Sequence, residues 1–413
     1  IYSHAELGYK EFQTSGKFVK KMEQLGLRTE KGFAITGVKA YLNEDKKENA
    51  SLALLGELDA LRIPEHAFAN PETNAAHCCG HHAQMAGVFG AALALTVPEI
   101  AEKLDGQVVF FATPAEEYGE IEFKNQLREQ GKIRYGGGKC ELLRIGAFDD
   151  IDLCLTHHIR PGNEILVGSG TGNGFVSKVI RVLGKASHAA GAPEKGVNAL
   201  SAASLGLQAL GLNRETFRDE DCVRVHPIIT KGGNLVNVIP DEVVVETLVR
   251  GKTIEAFTDA AKKTDRSFKA GAIAMGAKVE ISTLPGYLPT LAEEALPELK
   301  HAAEISASGI PVIEASGHAG GSTDVGDVQH LMPVYTFNTG GVKGGLHQID
   351  FEVTDEEEAY IVTAKMFALA AYGLLKEKAQ RSRELVDQYE PVFKNSAEYV
   401  EFMEQFDSKE IFE

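Results

Sequence analysis

The run SLALLGELDA, residues 51–60, is the stretch on which the fold turns. Ser51–Leu55 is strongly apolar and reads as a buried strand, and Gly56, Glu57, Leu58, Asp59 and Ala60 follow at once. Two carboxylates therefore sit at the far end of that strand. Two more strands repeat the arrangement. Gln107–Ala112, with its Val-Val-Phe-Phe core, leads into Pro114-Ala115-Glu116-Glu117, and Asp150–Leu155 leads into Thr156-His157-His158. Polar chemistry gathered beyond the carboxyl ends of successive strands is the layout of an open α/β sheet.

Between the first two strands lies His77-Cys78-Cys79-Gly80-His81-His82-Ala83-Gln84. Hydrophobic packing does not ask for three imidazoles and two thiols in so short a run, whereas neutral imidazole and thiolate both ligate Zn²⁺ and similar ions. Gly80 allows the backbone to come close to a bound ion. The helical run Met85–Leu95 follows, which places the cluster at a helix N-terminus, where the dipole favours a thiolate. The spacing lacks the Cys-x-x-Cys pairs of a structural zinc site. A catalytic centre is expected instead.

Asp59, Cys79, His81, Glu116, Glu117, His158 and His347 come from five separate segments of the chain. A two-metal hydrolytic site needs about five ligands, one of them bridging, and a free carboxylate to shuttle protons. Glu116 and Glu117 suit that division, because neighbours in an extended loop point opposite ways.

Size and charge limit the alternatives. A chain of 413 residues is longer than one core usually organises, so two domains are expected. A net charge of −17 argues against nucleic acid, whose phosphates need a basic surface. No apolar run approaches the ~20 residues of a membrane span. Five cysteines, an odd number, do not form a disulfide framework in a chain this long, and a reducing cytoplasm is expected. The sequence opens at Ile1, mid-pattern and without Met, so a preceding segment is also expected.

From about Gly172 the rhythm changes. Phe175–Gly184, Val223–Thr230, Val243–Val249 and Lys278–Thr283 read as strands, with helices over Val197–Leu212 and Ile254–Met275. That β-α-β-β-α-β order is the ferredoxin-like unit. The expected organisation is an α/β catalytic domain, 1–171 and 287–413, with a mixed, mainly parallel sheet between helices, and an inserted α+β lid or dimerisation domain, 172–286. The charge-rich Gln380–Glu413 reads as a solvated helical end.

At this point the residues resemble a known family, the di-metal aminoacylase/carboxypeptidase metallopeptidases, in their amidohydrolase branch. That branch includes auxin-conjugate hydrolases, N-acyl-amino-acid hydrolases and one of the two chains of aminobenzoyl-glutamate hydrolase. The resemblance rests on Gly56–Leu61, His77–His81, Pro114–Glu117, His158-Ile159-Arg160-Pro161, Gly184–Ala190, Asn237-Val238-Ile239-Pro240, Gly321–Asp327 and Gly345-Leu346-His347. It implies two divalent ions, Mn²⁺ or Zn²⁺, bridged by Cys79 and held further by His81, Glu117, His158 and His347. It makes Glu116 the general base and Asp59 the carboxylate that orients a ligand imidazole. His82 and His157 remain alternative ligands.

In the inserted domain the resemblance gives His188, Asn237 and Arg250 substrate-facing roles, with Asn237 near Arg250 at the substrate's free carboxylate. It also implies a homodimer in which His188 works in trans. The expected activity is hydrolysis of the amide bond in N-acyl or N-aroyl amino acids. A dipeptidase or carboxypeptidase on the same scaffold, or a non-catalytic subunit of a hydrolase complex, are the alternatives.

Overall fold

In the computed structural model, which describes every residue except Ser308, the chain divides into two units. The first comprises Ile1–Thr171, Leu291–His318 and Asp327–Tyr399, and the second Gly172–Thr290, Ala319–Gly326 and Val400–Glu413.

The principal strands, in chain order, are β1 (Arg28–Phe33), β2 (Gly37–Leu42), β3 (Ser51–Glu57), β4 (Gln107–Thr113), β5 (Leu153–Ile159), β6 (Ile165–Val167) and β7 (Gly174–Leu183). They continue with β8 (Arg224–Val225), β9 (Ile228–Lys231), β10 (Glu242–Gly251), β11 (Lys278–Tyr287), β12 (Val312–Glu314), β13 (Val334–Thr339) and β14 (Ser408–Phe412). The principal helices are α1 (Phe12–Gln24), α2 (His81–Leu95), α3 (Ala199–Asn213), α4 (Ile254–Met275), α5 (Pro297–Ser306) and α6 (Thr363–Gln388).

The first unit is built on an eight-stranded sheet in the order β1-β2-β4-β3-β5-β13-β6-β12. Its middle, β4-β3-β5-β13, is parallel throughout. Every residue of β3 and β4 is buried, as their unbroken apolar runs require. Antiparallel pairing appears toward the edges, at β1–β2, β2–β4 and β6–β13. Helices α2 and α6 bury Met85, Val88, Ala92, Met366, Phe367 and Leu374 in the core that β3, β4 and β5 share. The stretch Glu357–Gln388 has the length and apolarity of a membrane span, but its backbone leaves the helix at Lys376–Ala379 and more than half of its apolar window is buried in this core.

The second unit has the ferredoxin-like order, β9-β10-β7-β11, all antiparallel, with β8 also on β10. Its helices α3 and α4 pack closely because Gly206 and Gly271 meet; a Cβ on Gly271 would lie 2.4 Å from the Ala202 carbonyl oxygen. The C-terminus departs from the sequence expectation. Instead of a solvated helix, Ser408–Phe412 forms β14 and pairs with the outer edge of β11. Backbone hydrogen bonds supply that pairing, so its side chains can stay exposed and charged, and Lys409 and Glu410 pair with Glu280 and Lys269.

Candidate metal centre and active site

Asp59, Cys79, His81, Glu116, Glu117, His158 and His347 converge on one place in the first unit. β3 ends at Glu57, and Asp59 follows it, fully buried. α2 begins at His81, directly after Cys79 and Gly80. Gly80 sits at φ 92° with Ile159 so close that a Cβ would fall 2.0 Å from its methyl, so only glycine fits. Gln84 then ties two strand ends together. Its Oε1 accepts from the Glu57 amide at 2.6 Å, and its Nε2 donates to the His157 carbonyl at 2.6 Å.

The loop after β4 is held as firmly. Ala115 adopts φ 49° and donates its amide to Glu11 Oε1 at 2.8 Å, while the Glu117 amide donates to Asp59 Oδ2 at 2.9 Å. This turn sends Glu116 and Glu117 to different neighbours. Glu116 Oε2 comes to 3.9 Å from His81 Nε2, and Glu117 Oε1 to 3.2 Å from His347 Nε2. His347 is itself in the left-handed region, φ 63°, with its amide on the Cys78 carbonyl at 2.9 Å. Non-glycine backbone of this kind tends to persist where surrounding structure fixes it, often at functional sites.

The donor atoms form overlapping groups. Cys79, His81 and His158 make one, Cys79, Glu117 and His347 a second, and Glu57, His81 and Glu116 a third, the ligand atoms of each lying within 4.8 Å of one another. Cys79 Sγ lies 3.4 Å from His158 Nε2 and 3.2 Å from His347 Nε2, so one thiol belongs to two groups. Asp59 faces the other ring nitrogen of His81, Nδ1, at 3.2 Å, which directs Nε2 toward the donors. His158 is oriented the same way by its Nδ1 on the Ile159 carbonyl at 2.8 Å. Thiol, imidazole and carboxylate together suit borderline divalent ions better than Mg²⁺ or Ca²⁺. His81 Nε2 and Glu117 Oε1 are buried without a hydrogen bond, which is what inward-facing ligand atoms look like.

Electrostatics points the same way. Burial, with Glu117 adding to it, pushes the Cys79 thiol well above its ordinary value, so a thiolate at this depth needs a cation beside it. Burial also opposes charge on His81, yet Glu57 and Cys79 outweigh it and hold that imidazole well above its usual range. The two alternative histidines lie elsewhere. His82 packs among Tyr2, His77, Phe351 and Tyr360, and burial pushes it down to about 3. His157 sits against Phe337 and Phe367 with its Nε2 on Thr339 Oγ1 at 2.8 Å. Neither belongs to a donor group among the described residues.

Glu11, not singled out in the sequence, is fully buried and holds the turn that aims Glu116. Burial first, then Asp59, raises it to about 7. The folded chain therefore binds this proton more tightly than the unfolded chain. The stabilisation is complete below about 4.5 and is lost as pH rises to about 7. Glu11→Gln should flatten that fall, by at most ~3 kcal/mol across the window. Denaturant unfolding of parent and variant at several pH values checks it, and parallel curves would contradict it.

In the second unit, His188 and Asn237 share one loop cluster, with the Ala189 amide donating to the Asn237 carbonyl at 2.9 Å. His188 Nδ1 accepts from the Gly191 amide at 2.9 Å. Arg250 is not beside them. It lies at the opposite end of β10, where it donates to Ser322 Oγ at 2.7 Å and stands over the Phe175 ring. At ~3.3 Å per residue, β10 carries the chain roughly 26 Å from Glu242 to Arg250, and Asn237 lies in the loop before Glu242.

Residues 53–372 match the family described as Peptidase family M20/M25/M40. The chain belongs to that family. Among similar M20 relatives, Xaa-Arg dipeptidase of Mus musculus is 28% identical, over 73% of this chain and 64% of its own length. N-acetyl-L-cysteine deacetylase of Bacillus subtilis is 25% identical over 93% and 88%, and a chain of the p-aminobenzoyl-glutamate hydrolase of Escherichia coli is 27% identical over 68% and 54%. The chain thus spans less than two thirds of the mouse relative's length. A dinuclear metal-binding M20 peptidase structure from Bacillus subtilis has the same fold, with TM-score 0.61, 24% identity, and coverage of 91% of this chain and 95% of that one.

Proposed function

We propose that this M20 chain is a metal-dependent amidohydrolase that releases an amino acid from an N-acyl or N-aroyl amino acid. The observation that carries the reading is the single Cys79 thiol shared by two donor groups, with Glu116 left beside them. Cys79, His81 and His158 would hold one divalent ion, and Cys79, Glu117 and His347 the other, Mn²⁺ or Zn²⁺ being the ions such donors suit. When bound, the pair would polarise the amide carbonyl and make a water acidic enough to attack it. Glu116 takes the proton of that water and returns it to the leaving amine. Asp59 keeps His81 in one tautomer throughout. Five free cysteines, Cys79 among them, suit a reducing compartment, and we place the chain in the cytoplasm.

The substrate side is proposed from the second unit. Arg250 is suited to grip a free carboxylate bidentately. His188 and Asn237 share a loop cluster before the start of β10, whereas Arg250 stands near its end. If all three act on one substrate, they come from two chains. A homodimer fits the exposed surface, because β14 occupies the β11 edge while β9 remains open. Ile228 and Ile229 on β9, and Leu235 and Val236 after it, are exposed. Mixing His188→Ala with Glu116→Gln chains, each inactive alone, should restore activity in hybrid dimers. Verified hybrids that stay inactive would rule out the trans arrangement.

The defining test is amino-acid release across N-acetyl, N-aroyl and p-aminobenzoyl amino acids, their carboxamides, and free dipeptides. Blocked amino acids with a free carboxylate should react fastest. Release from dipeptides alone would favour the dipeptidase reading, which the similarity to Xaa-Arg dipeptidase supports. No release from any of them would favour a non-catalytic role within a larger hydrolase complex.

A further inference from the structure

Lys139 is fully buried, and its ammonium pairs with Glu57, the last residue of β3. Neither residue is needed by the mechanism above. A lysine at that depth carries a large desolvation cost unless an anion meets it. The sequence prepares the meeting. Gly136-Gly137-Gly138 precede Lys139, and at Gly138 a Cβ would fall 1.6 Å from the Pro114 carbonyl oxygen. Only glycine lets the Gly138–Arg144 helix start this close to the loop that carries Glu116.

The two oxygens of Glu57 are divided. Oε1 faces Lys139, and Oε2 lies 3.1 Å from His81 Nε2. That contact is not a hydrogen bond, since His81 Nε2 is buried with none, and its ring is already oriented through Nδ1 by Asp59. Two donors that bind one ion at ~2.1 Å each, at angles from square to tetrahedral, stand about 3.0–3.4 Å apart. Glu57 Oε2 and His81 Nε2 have that spacing, and with Glu116 they make up the third donor group. The Glu57 amide is clamped by Gln84 at 2.6 Å, so the carboxylate is fixed there in advance.

We propose that Glu57 is a further ligand of the ion held by His81, with Lys139 as the buried counter-cation that keeps it in place. The inference rests on the two-ion reading. Glu57 would add a negative oxygen donor to the ion held by His81, reaching it from the side of Glu116, with which Glu57 and His81 form one donor group. Lys139 offsets the extra charge that this brings into the interior.

The test titrates Zn²⁺ and Co²⁺ into stripped parent, Glu57→Gln, Lys139→Met and the double variant, by calorimetry, elemental analysis and the visible spectrum of the Co²⁺ form. The parent should bind two ions per chain. Glu57→Gln should weaken one of the two at least tenfold and change the Co²⁺ bands. The double variant removes both buried charges together. It should recover the thermal stability that either single variant loses, yet keep the metal defect. A double variant, or a folded Glu57→Gln, that binds two ions with parental affinity and spectrum would show Glu57 to be only the structural partner of Lys139. A parent that binds fewer than two ions would overturn the two-ion reading itself, and this inference with it.

Discussion

Replacing Glu116 with Gln should cut turnover by about 10²–10⁴-fold and leave the metal content where it was. The amide keeps the size and the loop position of the carboxylate but has no basic oxygen to take a proton from water. Glu116 stands 3.9 Å from His81 Nε2 and outside both groups that share Cys79, whereas Glu117 Oε1 is 3.2 Å from His347 Nε2 and within one of them. Glu117→Gln should therefore lose an ion along with the rate. Metal analysis beside kcat for both variants separates the roles, and exchanged phenotypes would reverse them.

The two adjacent cysteines should behave just as differently. Cys79 Sγ is shared by two donor groups, so Cys79→Ser should weaken both sites, by 10–100-fold or more in affinity, the scale at which even indirect contacts to a metal matter. Cys78 Sγ instead lies 3.5 Å from the Ala76 carbonyl, among Ala83, Ile159 and Phe351. Burial pushes its thiol up to about 11, the behaviour of a packed thiol rather than a ligand. Cys78→Ser should bind two ions as the parent does, with only a packing loss in thermal stability. Equal metal loss in the two variants would put the ligand assignment in error.

The sheet was legible because β3, β4 and β5 are apolar runs that stop at polar residues, and strand ends of that kind can be placed from one sequence. The ferredoxin-like order was legible for the same reason, through alternating strands and the long helix Ile254–Met275. β14 was not. Lys409 and Glu410 are helix formers by composition, and nothing local reports that the backbone at 408–412 finds an open strand edge far back in the chain. In the site, Asp59, Cys79 and His81 stand out as residue types that packing does not require. Glu57 was in view but had no role, because its meaning comes from Lys139, 82 residues away in sequence. Glu11 was invisible for a similar reason: nothing near it in the sequence marks a lone glutamate, and only the fold brings Ala115 and Thr36 onto it. The separation of Arg250 from Asn237 likewise depends on where β10 begins and ends.

The most direct measurement is amino-acid release from an N-acyl amino acid by the chain as purified, after stripping with a chelator, and after reloading with Mn²⁺ or Zn²⁺, with ions counted at each stage. Release should disappear on stripping and return as two ions per chain are restored. Undiminished release from protein that contains no ion would contradict a two-metal amidohydrolase outright.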